Sequence, residues 1–156
     1  MFTYDVSTFL QPDDMINAAP DKHPYSRNPC PCGSKKIYAQ CCEPLHRGEP
    51  AATAEALMRS RYSAFALGLD EYIQRSWHAS KRPPLHAFSA SEKHNSEKQQ
   101  WIGLQIKRYE LLDADRAIVE FKARYKINGR AFVLHESSRF IRENAHWFYV
   151  DGDIHE

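Results

Sequence analysis

The chain has no cysteine outside the window 30–42, which rules out a disulfide framework spread across the fold. It also has no run approaching the ~20 apolar residues of a membrane-spanning helix. Neither charge dominates. With 21 basic and 20 acidic side chains the net charge is +1, too little for a global field that would draw nucleic acid or an anionic membrane. Met1 to Leu10 lack a basic start and a long apolar stretch and include Asp5, so they do not read as an export signal. These absences point to the cytoplasm, where clustered cysteines hold metal more often than they form disulfides. At 156 residues, 42% hydrophobic and 12% aromatic, the chain has material for one cored domain plus an appendage.

The cysteines that are present read Cys30-Pro31-Cys32 and, after a short loop, Cys41-Cys42. Two tight thiolate pairs suit the tetrahedral site of a structural zinc. Pro31 stiffens the first pair, and Gly33-Ser34 let the backbone turn beneath the ion. Adjacent Cys41 and Cys42 do not bridge each other without strain. A thioredoxin-like pair needs Cys-x-x-Cys, not Cys-x-Cys. An iron–sulfur cluster remains the competing metal reading. His46, four residues past Cys42, is a conceivable replacement ligand, against the plainer reading of a surface histidine in a turn-rich bridge. Lys35 and Lys36 flank the site and offer contacts to phosphate or acidic protein.

Residues 1–27 form an extension, with strand-like alternation at Phe2, Tyr4 and Val6; the cysteine motif occupies 28–48 and the main domain 51–156. Thr53 to Leu67 is helical, with Thr53 as N-cap, apolar positions at Ala54, Leu57, Met58, Tyr62 and Phe65, and Gly68 as stop. A second helix is predicted over Asp70 to His78, with His78 as its C-terminal cap. Lys81 to Gln99 reads as a long loop containing Pro83-Pro84 and His94. Strands follow at 101–111, 116–127, 130–142 and 147–151, with Asn128-Gly129 as a two-residue hairpin turn. Helices followed by an antiparallel meander make an α+β domain. Trp77, Trp101 and Trp147 read as core anchors.

The pattern breaks in two places. The turn sets Tyr125 opposite Phe132, Phe121 opposite Glu136 and Val119 opposite Ser138, so Glu136 and Ser138 point to the core side. At about 100° per residue, Arg61 falls inside the apolar stripe of its helix, while Arg59 and Ser60 fall off it. Buried charges need partners or water. Either Arg61 pairs directly with Glu136, or both line a polar pocket with Ser138, Tyr62, His78 and Asp151. No full catalytic set emerges, because Ser138 has no histidine assignable to it. His135 faces outward and reads as solvated. Outward Val133 beside Ala131 hints at a homodimer.

The run CPCGSKKIYAQCC closely resembles the SEC-C motif, the zinc-binding tail of the bacterial preprotein-translocase motor ATPase. LMRSRYSAFALGLDEYIQRSWH (57–78) and HESSRFIRENAHWFYVDG (135–152) resemble the YchJ family of bacterial proteins. The resemblance implies a SEC-C motif followed by a cone-shaped domain similar to nuclear transport factor 2, with zinc on Cys30, Cys32, Cys41 and Cys42. Some family members carry a second cysteine motif near the C-terminus, which Asp153 to Glu156 do not supply. The resulting expectation is a zinc protein that docks a protein or ribosomal partner through Lys35 and Lys36 and holds a small anionic ligand in the cone. The rival expectation is an isomerase- or hydratase-like enzyme in which Arg61 binds substrate and Glu136 or Asp151 moves a proton.

Overall fold

The computed structural model describes residues 23–87 and 99–156. The pattern at Phe2, Tyr4 and Val6, His94 and most of the 81–99 loop lie outside the described residues. A single 3₁₀ turn, Tyr38–Gln40, follows the first cysteine pair. Then come α1 (Glu43–His46), α2 (Ala54–Leu67), α3 (Asp70–Arg75), β1 (Gln99–Leu111), β2 (Arg116–Ile127), β3 (Arg130–Glu143) and β4 (His146–Ile154). The strands form one antiparallel sheet in the order β1-β2-β3-β4, with α2 packed on its concave face. This is the expected α+β architecture.

The hairpin register is the one its turn dictates. Asn128 and Gly129 both have left-handed φ, 50° and 78°, as a type I′ turn requires. Phe121 therefore pairs with Glu136 and Val119 with Ser138. The face so defined buries Val119, Phe121, Ala123 and Phe140. Register shifts between Trp101 and Gly103, between Ile106 and Arg108, and at Arg139/Phe140 bend the sheet around the helix.

The ends of α2 are set locally. Thr53 Oγ1 accepts a hydrogen bond from the Ala56 amide at 3.0 Å, and Gly68 closes the helix at φ 71°. Its middle departs from the one-faced helix of the sequence reading. Ser60, off the stripe, is fully buried and bonds the Tyr72 hydroxyl at 2.6 Å. Arg59 donates to the Cys32 carbonyl at 3.0 Å. The helix is gripped by the sheet, by α3 and by the cysteine motif together.

Three expectations need correction. The second helix ends at Arg75, and Trp77 forms a parallel bridge with Tyr149. The Tyr149 amide donates to the Ser76 carbonyl at 2.9 Å, and the His78 amide donates to the Tyr149 carbonyl at 2.7 Å. This segment is a short rung on β4, so His78 is not a helix cap; its ring bonds Ser80 and Glu143. β4 is longer than predicted, because its pairing with β3 continues to Ile154. His135 is half-buried, with its ring stacked on His155 at 4.3 Å and bonded to Glu120 at 2.7 Å. Val133 is exposed on the outward face, opposite Arg124. No helix among the described residues is long and apolar enough to cross a membrane.

Candidate functional site

The cysteine motif folds back on itself through left-handed Gly33 and Lys35, closed by a hydrogen bond of 2.8 Å from the Cys30 amide to the Lys36 carbonyl. The four sulfurs lie within 4.8 Å of one another, with Cys32–Cys41 at 3.5 Å and Cys41–Cys42 at 3.8 Å. Arms of about 2.3 Å to a tetrahedral zinc would space the sulfurs about 3.8 Å apart, so the donor set fits such an ion. Hydroxyls support the sulfurs from outside. Ser63 on α2 bonds Cys42 at 3.3 Å and lies 3.5 Å from Cys30, and Ser34 lies 3.1 Å from Cys41. Hydrogen bonds from Cys30 and Cys42 lower the pKa of the Cys32 thiol.

His46 is not part of this donor set. Its Nε2–H donates to the Ser60 carbonyl at 2.8 Å, and its Nδ1 accepts from the Tyr38 hydroxyl at 2.6 Å. The ring is half-buried and packs edge-on against Tyr72 at 4.5 Å, which corrects the surface-histidine reading. Burial lowers its pKa below the ordinary 6.5, so below that pH the unfolded chain takes up a proton that the folded chain resists. Stability is therefore complete above the unfolded value and falls as pH drops through it. Melting curves between pH ~7.5 and ~5 should show a steeper loss for wild type than for His46→Gln; parallel losses would remove His46 as the cause.

Between α2 and the concave sheet lies a cavity of ≈ 330 Å³. Tyr62, Phe65, Trp77, Trp101 and Phe121 supply an aromatic wall, and Arg61, Glu136, Ser138 and Tyr149 supply the polar groups. Arg61 is 3% exposed. Its Nη1 donates to the Ile73 carbonyl at 3.0 Å and to Ser76 Oγ at 2.5 Å. The guanidinium lies over the rings of Tyr149 and Trp77, at 4.3 and 5.0 Å from their centroids. Burial pushes its pKa down to about 10, which leaves it a cation at neutral pH.

The direct Arg61–Glu136 pair does not form. Glu136 Oε1 accepts from Ser138 Oγ at 2.8 Å and from the Tyr149 hydroxyl at 2.9 Å. Tyr149 thus stands between the two charges, stacked on one and bonded to the other. Burial and then Glu136 push the Tyr149 phenol upward, so it remains a donor. Arg61 Nε and Nη2 and Glu136 Oε2 have no protein partner among the described residues. Gly152, paired with Ser138, is required where it stands: a Cβ there would lie 2.0 Å from Glu136 Oε1.

The structure brings Arg61, Tyr62, Glu136 and Ser138 to one cavity and leaves His78 and Asp151 outside it. The register shift at Arg139/Phe140 makes Val150 an extra residue, so Asp151 turns to the outer face and pairs with Arg139. The sequence reading missed Tyr149 and Trp77 as partners of Arg61. Counting inward positions from Trp147 along β4 reaches Tyr149; no comparable signal marks Trp77. Lys35 and Lys36 are exposed beside the four-cysteine cluster.

Fold and site together define a four-cysteine SEC-C motif joined to a cone of the nuclear transport factor 2 type. Residues 27–44 match the SEC-C motif, and residues 53–152 match the family described as YchJ, middle NTF2-like domain. The chain is 49% identical over 135 residues to a UPF0225 protein of Cupriavidus metallidurans, covering 82% of this chain and 90% of that protein. It is 46% identical to a UPF0225 protein of Bordetella bronchiseptica, covering 85% and 98%. The solution structure of a SEC-C motif containing protein from Rhodopseudomonas palustris superposes with a TM-score of 0.72 at 32% identity, covering 81% of this chain and 98% of that one. A crystal structure of a SEC-C motif containing protein from Psychrobacter arcticus gives 0.71 at 30% identity, covering 85% of each chain. The chain belongs to the YchJ (UPF0225) family.

Proposed function

We propose that the protein is a zinc-stapled binding protein of the cytoplasm. Its cone takes a small ligand, and its metal motif docks a protein or ribosomal partner through Lys35 and Lys36. The observation that carries this reading is the cavity itself, in which a buried arginine and a buried glutamate share one space without pairing. A structure concerned only with stability would close such a space with an ion pair or apolar packing. The zinc is structural: all four ligand positions are cysteine, and no open position is needed for chemistry.

The docking half is tested by capture from native lysate and ribosome pelleting with wild type and with Lys35→Glu/Lys36→Glu, which spares the sulfurs. A partner retained by wild type and lost from the variant supports docking; identical profiles overturn it. The cavity half is tested by thermal shift against small carboxylates, amines and neutral aromatics. No shift with any of the three at millimolar concentration removes the ligand-binding reading.

One observation favours a second reading, an isomerase- or hydratase-like enzyme: among the described residues Glu136 Oε2 has no partner, in the same cavity as Arg61. Asp151, on the outer face, has no place in it. A cavity ligand that exchanges a carbon-bound proton with deuterated solvent in wild type but not in Glu136→Gln would establish it.

A further inference from the structure

Resting on the reading that the cone holds a small molecule, we infer that its ligand class is a compact aromatic carboxylate with a hydrogen-bond donor at its far end. Three features fix the class. The first is an unneutralised cation. Arg61 is 3% exposed, and among the described residues no carboxylate lies within ion-pair distance of it and two of its nitrogens have no partner. A buried guanidinium with two adjacent N–H edges open matches the paired oxygens of a carboxylate.

The second feature is the acceptor at the other end. Glu136 Oε1 is held by Ser138 and Tyr149, which fixes the carboxylate and leaves Oε2 for an incoming hydroxyl or amine. Gly152 secures that position, since any side chain there would displace the carboxylate. The third is the span and its walls. Arg61 lies over the face of Tyr149, and Glu136 meets the hydroxyl of the same residue. Both polar ends therefore border the Tyr149 ring, Arg61 over its middle and Glu136 at its hydroxyl, between walls that include Tyr62, Trp101 and Phe121. A flat ring laid in this space reaches both ends, and at ≈ 330 Å³ the cavity has the volume of a small-ligand site. An inorganic anion would satisfy only Arg61, and a neutral aromatic only the walls.

The test is titration calorimetry of the zinc-loaded full chain with three probes: 4-hydroxyphenylacetate, phenylacetate and 4-hydroxyphenylacetamide. The first should bind tightest. The amide should bind about tenfold or more weakly, the scale of a hydrogen-bonded charge contact. Phenylacetate should fall between them, and Gly152→Ala should erase its deficit relative to 4-hydroxyphenylacetate while the acid-to-amide gap persists. Arg61→Met, with folding checked by its melting curve, should erase the acid-to-amide gap. Equal binding of acid and amide to wild type would overturn the ligand class while the cavity remains a binding site. Failure of all three to bind at millimolar concentration would overturn the class, and the thermal-shift screen decides separately whether the cavity reading falls with it.

Discussion

Stripping the metal with a chelator is expected to unfold the helix layer of the cone as well as the cysteine motif. Cys30, Cys32 and Cys42 are each under 5% exposed and belong to one continuous core with Tyr38, Ala54, Leu57, Met58 and Tyr62. Ser63 and Arg59 tie the motif to α2 directly. Without a cation, buried sulfurs at these spacings cannot all be thiolates, and reprotonation disturbs the hydroxyl contacts that hold them. Structural zinc in small motifs supplies on the order of 10 kcal/mol, comparable to the entire stability of an ordinary domain. Amide exchange before and after chelation measures this, read at Leu57 to Ala64 and at Val119 to Ala123. Fast exchange in α2 with the metal removed is the expected result. If α2 stays protected while only residues 30–42 exchange, the motif is an independent appendage and this account fails.

The second large effect concerns Arg61. Arg61→Ala should cost about 2–5 kcal/mol, the range for emptying a buried side-chain volume, because stacking on Tyr149 and Trp77 is lost and the space cannot fully collapse. Arg61→Met should behave quite differently. The Ile73 carbonyl still accepts from Ser76 Oγ at 2.8 Å, so no buried acceptor is orphaned. A desolvated cation is exchanged for an apolar chain of similar length, a change that is often neutral or stabilising by about 1–4 kcal/mol even where the charge was paired. Denaturant unfolding of both variants decides the matter. Methionine as damaging as alanine would make Arg61 a structural residue; methionine at or above wild-type stability would mean the arginine is kept at a cost to the fold, for something that enters the cavity.

Much of this was legible in the chain. Asn128-Gly129 determined a register, and the register alone placed Glu136 and Ser138 on the concave side. Helical spacing placed Arg61 opposite them. What alternation could not reveal was a single inserted residue. Val150 bulges from β4, its carbonyl accepts the Trp77 indole N–H at 3.0 Å, and every later side chain changes sides, so Asp151 left the predicted pocket and Gly152 entered it. The end of α3 was obscure for a related reason. Ser76 to His78 exchange helix hydrogen bonds for bonds to β4, and a tertiary partner of that kind leaves no local signature. The Glu136 anomaly was visible but its partner was not: opposite charges suggested a pair, whereas an aromatic ring able to stack on one and donate to the other serves both.

The Trp77–Tyr149 rung joins a segment close behind α2 to the last strand of the sheet, so the walls of the cavity come from both ends of the folding unit. Occupancy of the cavity and the cooperativity of the domain are then one equilibrium. A molecule lodged there would clamp the beginning of the cone to its end, raise the free energy of whole-domain unfolding by mass action, and protect distant amides that it never touches.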